Sequence, residues 1–134
     1  MHRVLIPIDG SPTALRAVSR FAAVAPNLQQ TEVLLLNVQQ PAAGGESGAF
    51  ASQQDAGKKL LAPAQAVLDQ AGIAHAEHVE FGDPGATIAA FAAKHGCRQI
   101  IMGTHGLGAL ASLVMGSVAT KVVHHASVPV MLVK

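Results

Sequence analysis

Short unbroken apolar runs alternate along this chain with segments whose apolar residues recur three or four apart. Val4-Leu5-Ile6-Pro7-Ile8 has no polar side chain, as in a strand buried on both faces. Pro7 can donate no ladder hydrogen bond. After Asp9-Gly10, Ser11 is placed to cap a helix whose first residue is Pro12, where a missing N–H does no harm. Leu15, Val18, Phe21 and Ala22 then fall at helical spacing, with Arg16 and Arg20 on another face. Pro26-Asn27 ends that helix. Residues 33–38 form a second buried run. Residues 39–57 turn to Ala, Gly, Ser and Gln and read as a mobile loop running into the start of a helix. Leu60, Leu61, Ala64, Val67, Leu68 and Ala71 are the apolar stripe of that helix, and Gly72 stops it. Pro63 either kinks it or marks its beginning.

Residues 73–81 alternate as a third strand, with His75 and Glu77 on one face and Ala76, His78 and Glu80 on the other. So polar a strand belongs at a sheet edge. Asp83-Pro84 repeats the cap-then-proline signal before Ile88, Phe91 and Ala92, and Gly96 closes the helix. Residues 97–102 read as a fourth strand, 103–116 as a glycine-rich loop, 117–125 as a last helix and 128–133 as a fifth strand. Strands alternating with helices predict an α/β fold, a single-domain doubly wound, Rossmann-like parallel sheet of five strands with helices on both faces. In such sheets ligands bind beyond the carboxyl ends of the strands, where the strand order reverses.

Composition narrows the function. The 134 residues suit one domain, 1–134, large enough for its own core. One Cys excludes a disulfide framework. A net charge of +1 and 3% aromatic residues argue against a nucleic-acid partner, which needs a basic face or stacking rings. The first apolar run is too short for a signal peptide and meets Asp9 at once. Residues 99–120 carry no formal charge and are long enough to span a bilayer, but Thr104, His105, Ser112 and Ser117 lie inside the run. The expectation is a cytoplasmic protein without a membrane partner.

The strongest chemical signal is Gly103-Thr104-His105-Gly106, nine further residues, then Gly116-Ser117. It opens after a predicted strand and closes at a predicted helix start. Glycines permit close backbone approach and positive φ, successive amides form an anion nest, and the helix start adds free donors and positive dipole. That is a phosphate cradle; the plainer reading is two turns that need glycine. His105 is either a phosphate donor or an ordinary loop histidine. No P-loop and no dinucleotide fingerprint is present. Asp9, at the end of the first strand, suits a ribose hydroxyl or a Mg²⁺ ion, or simply forms the turn before Gly10-Ser11. His75 and His78 point to opposite faces and cannot share a metal. His124 and His125 suit the dipole at a helix end. Cys97 reads as a buried, inert thiol. No Ser-His-Asp or paired-carboxylate arrangement can be assembled.

These residues resemble the universal stress protein family along the whole chain. The matching pieces are residues 6–11, 35–38, 82–84, 101–106, 116–118 and 128–133. The glycine spacing resembles the branch that binds ATP. The resemblance implies strand order 3-2-1-4-5, with Pro7 and Asp9 near the adenosine and Val38 meeting adenine through its backbone. It implies that Met102, Gly103, Thr104, His105 and Gly106 run along the phosphates, and that Gly116, Ser117 and Val118 hold them from the helix start. It further implies a homodimer through the fifth strand (Val128, Val130, Leu132), a role in the stress response, and ATP as ligand with or without Mg²⁺. Without a Walker lysine or a base to orient water, hydrolysis is at most slow. The other reading is an interaction scaffold that binds another adenine nucleotide such as cyclic AMP.

Overall fold

The computed structural model describes residues 2–25, 30–42, 48–104 and 115–134. In chain order the elements are β1 (His2–Pro7), α1 (Pro12–Val24), β2 (Thr31–Gln39), α2 (Ala49–Gln70), β3 (Ala74–Phe81), α3 (Pro84–Lys94), β4 (Gln99–Gly103), α4 (Ser117–His125) and β5 (Val130–Val133). All strand pairs are parallel and the sheet order is β3-β2-β1-β4-β5. The order reverses at β1, which lies between β2 and β4.

The unbroken apolar runs have a simple cause. Val4, Ile6, Val33 and Leu35 bury one face of the sheet against Val18, Phe21, Leu61 and Leu68 of α1 and α2. Leu5, Leu34, Leu36 and Ile100 bury the other against Ile88 and Phe91 of α3 and Val122 of α4. Successive residues of a central strand thus serve opposite cores, and neither position favours a polar side chain without hydrogen-bond partners. β3 lies at an edge, as its polarity predicts, and none of its residues is fully buried. Pro7 is the last residue of β1, where the sheet loses least by its missing donor.

The stretch over 39–57 needs correction. Helix α2 starts at Ala49, so the second half of that stretch is helical rather than loop. Its opening turns carry helix-forming Ala and Gln but almost no apolar stripe, which hid them. Gly57, which reads as a breaker, is a packing residue: a Cβ there would come within 2.8 Å of Val79 Cγ1 and 2.9 Å of Asn37 Oδ1. Pro63 lies inside α2 with its side exposed to solvent, well past the helix start. Two strand starts also move. Cys97 ends the α3 turn, its amide donating to Ala92 O, and β4 begins at Gln99. Val128 precedes β5, which begins after Pro129.

Candidate functional site

A cleft of about 420 Å³ opens at the carboxyl ends of β1, β2 and β4. Its apolar floor is Leu36, Ile88, Met102 and Ala119, and Pro7, Ile8 and Val38 form a wall. Asp9, Ser11, Thr104 and Ser117 bring polar groups to it, and Ala14, Gly103, Pro84, Gly116 and Val118 complete it. The sequence-predicted residues Pro7, Asp9, Val38, Met102, Gly103, Thr104, Gly116, Ser117 and Val118 are therefore brought together. His105 and Gly106 lie outside the described residues.

Local chemistry sets each wall. The Ile8 amide donates to Leu36 O at 2.8 Å, but the next ladder step is taken over by a side chain. Asn37 Nδ2 donates to Ile8 O at 2.8 Å, and Asn37 Oδ1 accepts from Gln39 Nε2 at 2.7 Å. Asn37 is buried, so these bonds are made where water cannot replace them. Leu36 directs its backbone groups toward β1, and by the two-residue alternation Val38 directs its own the same way. β1 has already ended there, at Pro7. The Val38 amide and carbonyl consequently face the cleft without a strand partner among the described residues.

Past Ile8 the chain turns through Gly10 at φ +87°, a conformation that L side chains rarely adopt. Asp9 Oδ1 accepts from the Ser11 amide at 2.9 Å, so the turn-forming role read from the sequence is real. Its other oxygen has no partner among the described residues. Ser11 Oγ in turn caps α1 through the Ala14 amide at 3.2 Å.

The opposite wall differs in kind. The Thr104 amide donates to Val133 O at 2.9 Å, and the Gly116 amide donates to Thr104 O at 2.6 Å. The first continues the pairing of β4 with β5, and the second ties the residue before α4 to the end of β4, so both donors are spent. Helix α4 has Gly116 at its N-cap and no capping side chain, and its first intrahelical bond runs from the Thr120 amide to Gly116 O. The amides of Ser117, Val118 and Ala119 have no partner among the described residues, and the helix dipole adds positive potential at the same place. α1 and α3 are capped by Ser11 and Asp83, so their starts are already satisfied.

Neither described glycine of the spacing adopts a positive φ. Gly116 has φ −62°, and Gly103 is ordinary strand backbone. What Gly103 permits is close packing of α1: a Cβ there would lie 2.6 Å from Thr13 Cγ2 and 3.2 Å from the Thr13 carbonyl carbon. Sequence reasoning missed Ile8, Ser11, Ala14, Leu36, Pro84, Ile88 and Ala119 as lining residues. The cap-then-proline signals at Ser11-Pro12 and Asp83-Pro84 mark helix starts that end up at the cleft, and that was the available clue.

No Lys or Arg is among the described lining residues, and Asp9 is the one carboxylate. Asp83, on the rim beside Pro84, is held below the usual carboxylate value by the Ala86 amide and then by Lys121. The remaining titratable groups lie elsewhere. His75 Nε2 pairs with Asp69 Oδ1 at 2.6 Å, and His78 packs on the opposite face, edge-on to Phe91. His95 stacks on Phe91 with centroids 3.9 Å apart; burial, then the neighbouring His78, pushes its pKa down. Burial pushes the Cys97 thiol up, in keeping with an inert group. His124 and His125 occupy the last turn of α4. No cluster of three potential metal ligands exists among the described residues, and no described helix is long and apolar enough to cross a membrane.

A cleft at the strand-order reversal of a 3-2-1-4-5 parallel sheet invites comparison with known proteins. Universal stress protein MJ0531 of Methanocaldococcus jannaschii is 30% identical over 140 residues, covering 98% of this chain and 81% of that protein. The solved structure of hypothetical protein MJ0577 superposes with a TM-score of 0.85 at 28% identity, covering 98% of this chain and 94% of that one. A universal stress protein family protein from Arabidopsis thaliana, solved with AMP bound, shares the fold at 21% identity and TM-score 0.75, covering 100% of this chain and 92% of that one. The same fold recurs in relatives solved in complex with cAMP and with dAMP. The family model described as Universal stress protein family matches residues 1–134, so this chain belongs to the universal stress protein family.

Proposed function

We propose that the cleft binds ATP and that the chain is a small cytoplasmic regulatory module of the stress response, with binding rather than turnover as its output. The observation that carries this reading is the pairing of open groups across one cleft. Among the described residues, one side carries the Val38 backbone and an Asp9 oxygen without partners, and the other carries three unpartnered amides at the start of α4. Adenine has a ring nitrogen that accepts and an amino group that donates, which matches the amide and carbonyl of Val38. Asp9 takes a ribose hydroxyl, or a Mg²⁺ ion that also touches phosphate. Ser117, Val118 and Ala119 receive phosphate oxygens. Thr104 borders the same end, and by spacing His105 and Gly106 belong to it as well. Adenine nucleotides in solved relatives support this ligand class.

The competing reading is a cyclic AMP scaffold, and the family fold has been solved with that ligand too. A slow Mg²⁺-dependent ATPase is the second alternative. One experiment separates them: release and identify the nucleotide carried by purified protein, then titrate ATP, AMP and cAMP by calorimetry with and without Mg²⁺. ATP binding in the micromolar range with negligible phosphate release is expected. Absence of binding by any of the three would overturn the assignment.

We also propose a homodimer through β5, with Val128 and Pro129 leading into the paired strands. β5 is a sheet edge carrying Val130 and Leu132, half-buried, and Met131, 50% exposed. An apolar edge of this kind needs cover.

A further inference from the structure

We propose that Lys121 decides how many phosphates the bound nucleotide carries, by leaving Asp83 for the phosphate beyond the first. This rests on the nucleotide reading above and goes beyond it. Among the described residues, donors at the phosphate end are few. The Thr104 and Gly116 amides are spent on Val133 O and Thr104 O, which leaves, of the described residues, the amides of Ser117, Val118 and Ala119 and the Ser117 hydroxyl. One phosphate group, with three outer oxygens, uses most of that set. Each further phosphate adds negative charge, and no Lys or Arg lines the described cleft to meet it.

Lys121 is the cation in reach. It lies one helical turn past Ser117, so both are on one face of α4. Helical side chains lean toward the N-terminus, which carries its ammonium toward the open amides. Its Nζ lies 3.2 Å from Asp83 Oδ1, and Asp83 caps α3, whose first residue Pro84 lines the cleft. The ammonium is therefore at the rim already. The ion pair is about half exposed on both sides, and such pairs hold weakly. Asp83 also keeps its Ala86 amide through Oδ2 when Lys121 departs. The lysine stem stays fixed, because Lys121 Cβ packs against Gly85 so closely that no side chain fits there. The root of the side chain is thus anchored while its tip can exchange one anion for another.

The test is the affinity of AMP, ADP and ATP for wild type and variants by calorimetry at low salt. Lys121→Gln keeps the stem on Gly85 and removes the charge. It should weaken ATP about tenfold and AMP less than about twofold. Lys121→Arg should retain the preference, and Lys59→Gln, on exposed α2, should change neither ligand. Asp83→Asn keeps a capping oxygen and frees the ammonium. It should tighten ATP about threefold, and that gain should vanish in the double variant with Lys121→Gln. If wild type binds no adenine nucleotide, the nucleotide reading falls and this proposal with it. If wild type binds but Lys121→Gln shifts AMP and ATP equally, or shifts neither, the nucleotide reading stands and the role of Lys121 is refuted.

Discussion

Replacing Gly116 with aspartate should close the phosphate end of the cleft while leaving α4 folded. Gly116 is the N-cap of α4, with φ −62° and ψ 159°, backbone that any residue adopts without strain. Aspartate is among the preferred N-cap residues and is favoured over glycine there by about a few tenths of a kcal/mol. Its carboxylate would accept from the Val118 or Ala119 amide, the same donors proposed for phosphate. It would also put a negative charge roughly 4 Å from a phosphate on those amides. At that distance like charges repel by about 1 kcal/mol in water and about 4 kcal/mol at the effective dielectric of a protein surface. A loss of about 3 kcal/mol, roughly a hundredfold in Kd, is the expected middle value. The assay pairs ATP calorimetry with thermal unfolding. Affinity should fall while the melting temperature holds or rises, a combination that misfolding cannot mimic. A variant that melts like wild type and binds ATP equally well would refute the assignment of the α4 start as the phosphate seat.

Other expectations follow from the same geometry. Gly103→Ala pushes a methyl into Thr13, so overpacking should cost about 1–3 kcal/mol, read as a lower urea midpoint; an unchanged midpoint would mean that α1 yields freely. His95 has its folded pKa lowered by burial, so the unfolded chain binds more protons as pH falls below the ordinary value of 6.5. Its contribution is complete above 6.5 and is lost as pH drops through the lower folded value. Chemical denaturation from pH 7.5 to 5 should show stability declining, with a shallower slope in His95→Gln; equal slopes would exclude His95 as the source. If the proposed β5 dimer forms, Val130→Asp should dissociate it, seen as a halved mass by light scattering; an unchanged mass would remove β5 from the interface.

The layered architecture was legible because the core strands are uniformly apolar and the helix starts carry Ser11-Pro12 and Asp83-Pro84. The opening of α2 was not, because a helix that faces solvent shows no apolar period, and Gly57 reads as a breaker until Val79 is seen beside it. The cleft was legible in part. The spacing of Gly103 and Gly116 picked out two residues that line the cleft, yet Gly103 also lets α1 pack closely, and the unpartnered donors among the described residues belong to Ser117, Val118 and Ala119. No local pattern announces Asn37, whose use is to hold Ile8 and leave Val38 bare. That depends on where β1 stops relative to β2, which is a property of the assembled sheet.

One short relay of peptide groups has a mechanical consequence. Val133, at the outer border of the sheet, holds the Thr104 amide, and the Thr104 carbonyl holds the Gly116 amide. The rim strand and the mouth of the cleft are therefore two hydrogen bonds apart. A displacement of β5 would be passed along the Thr104 peptide to the first turn of α4. Anything that grips the border is therefore expected to be felt in the hollow, through one shared lever.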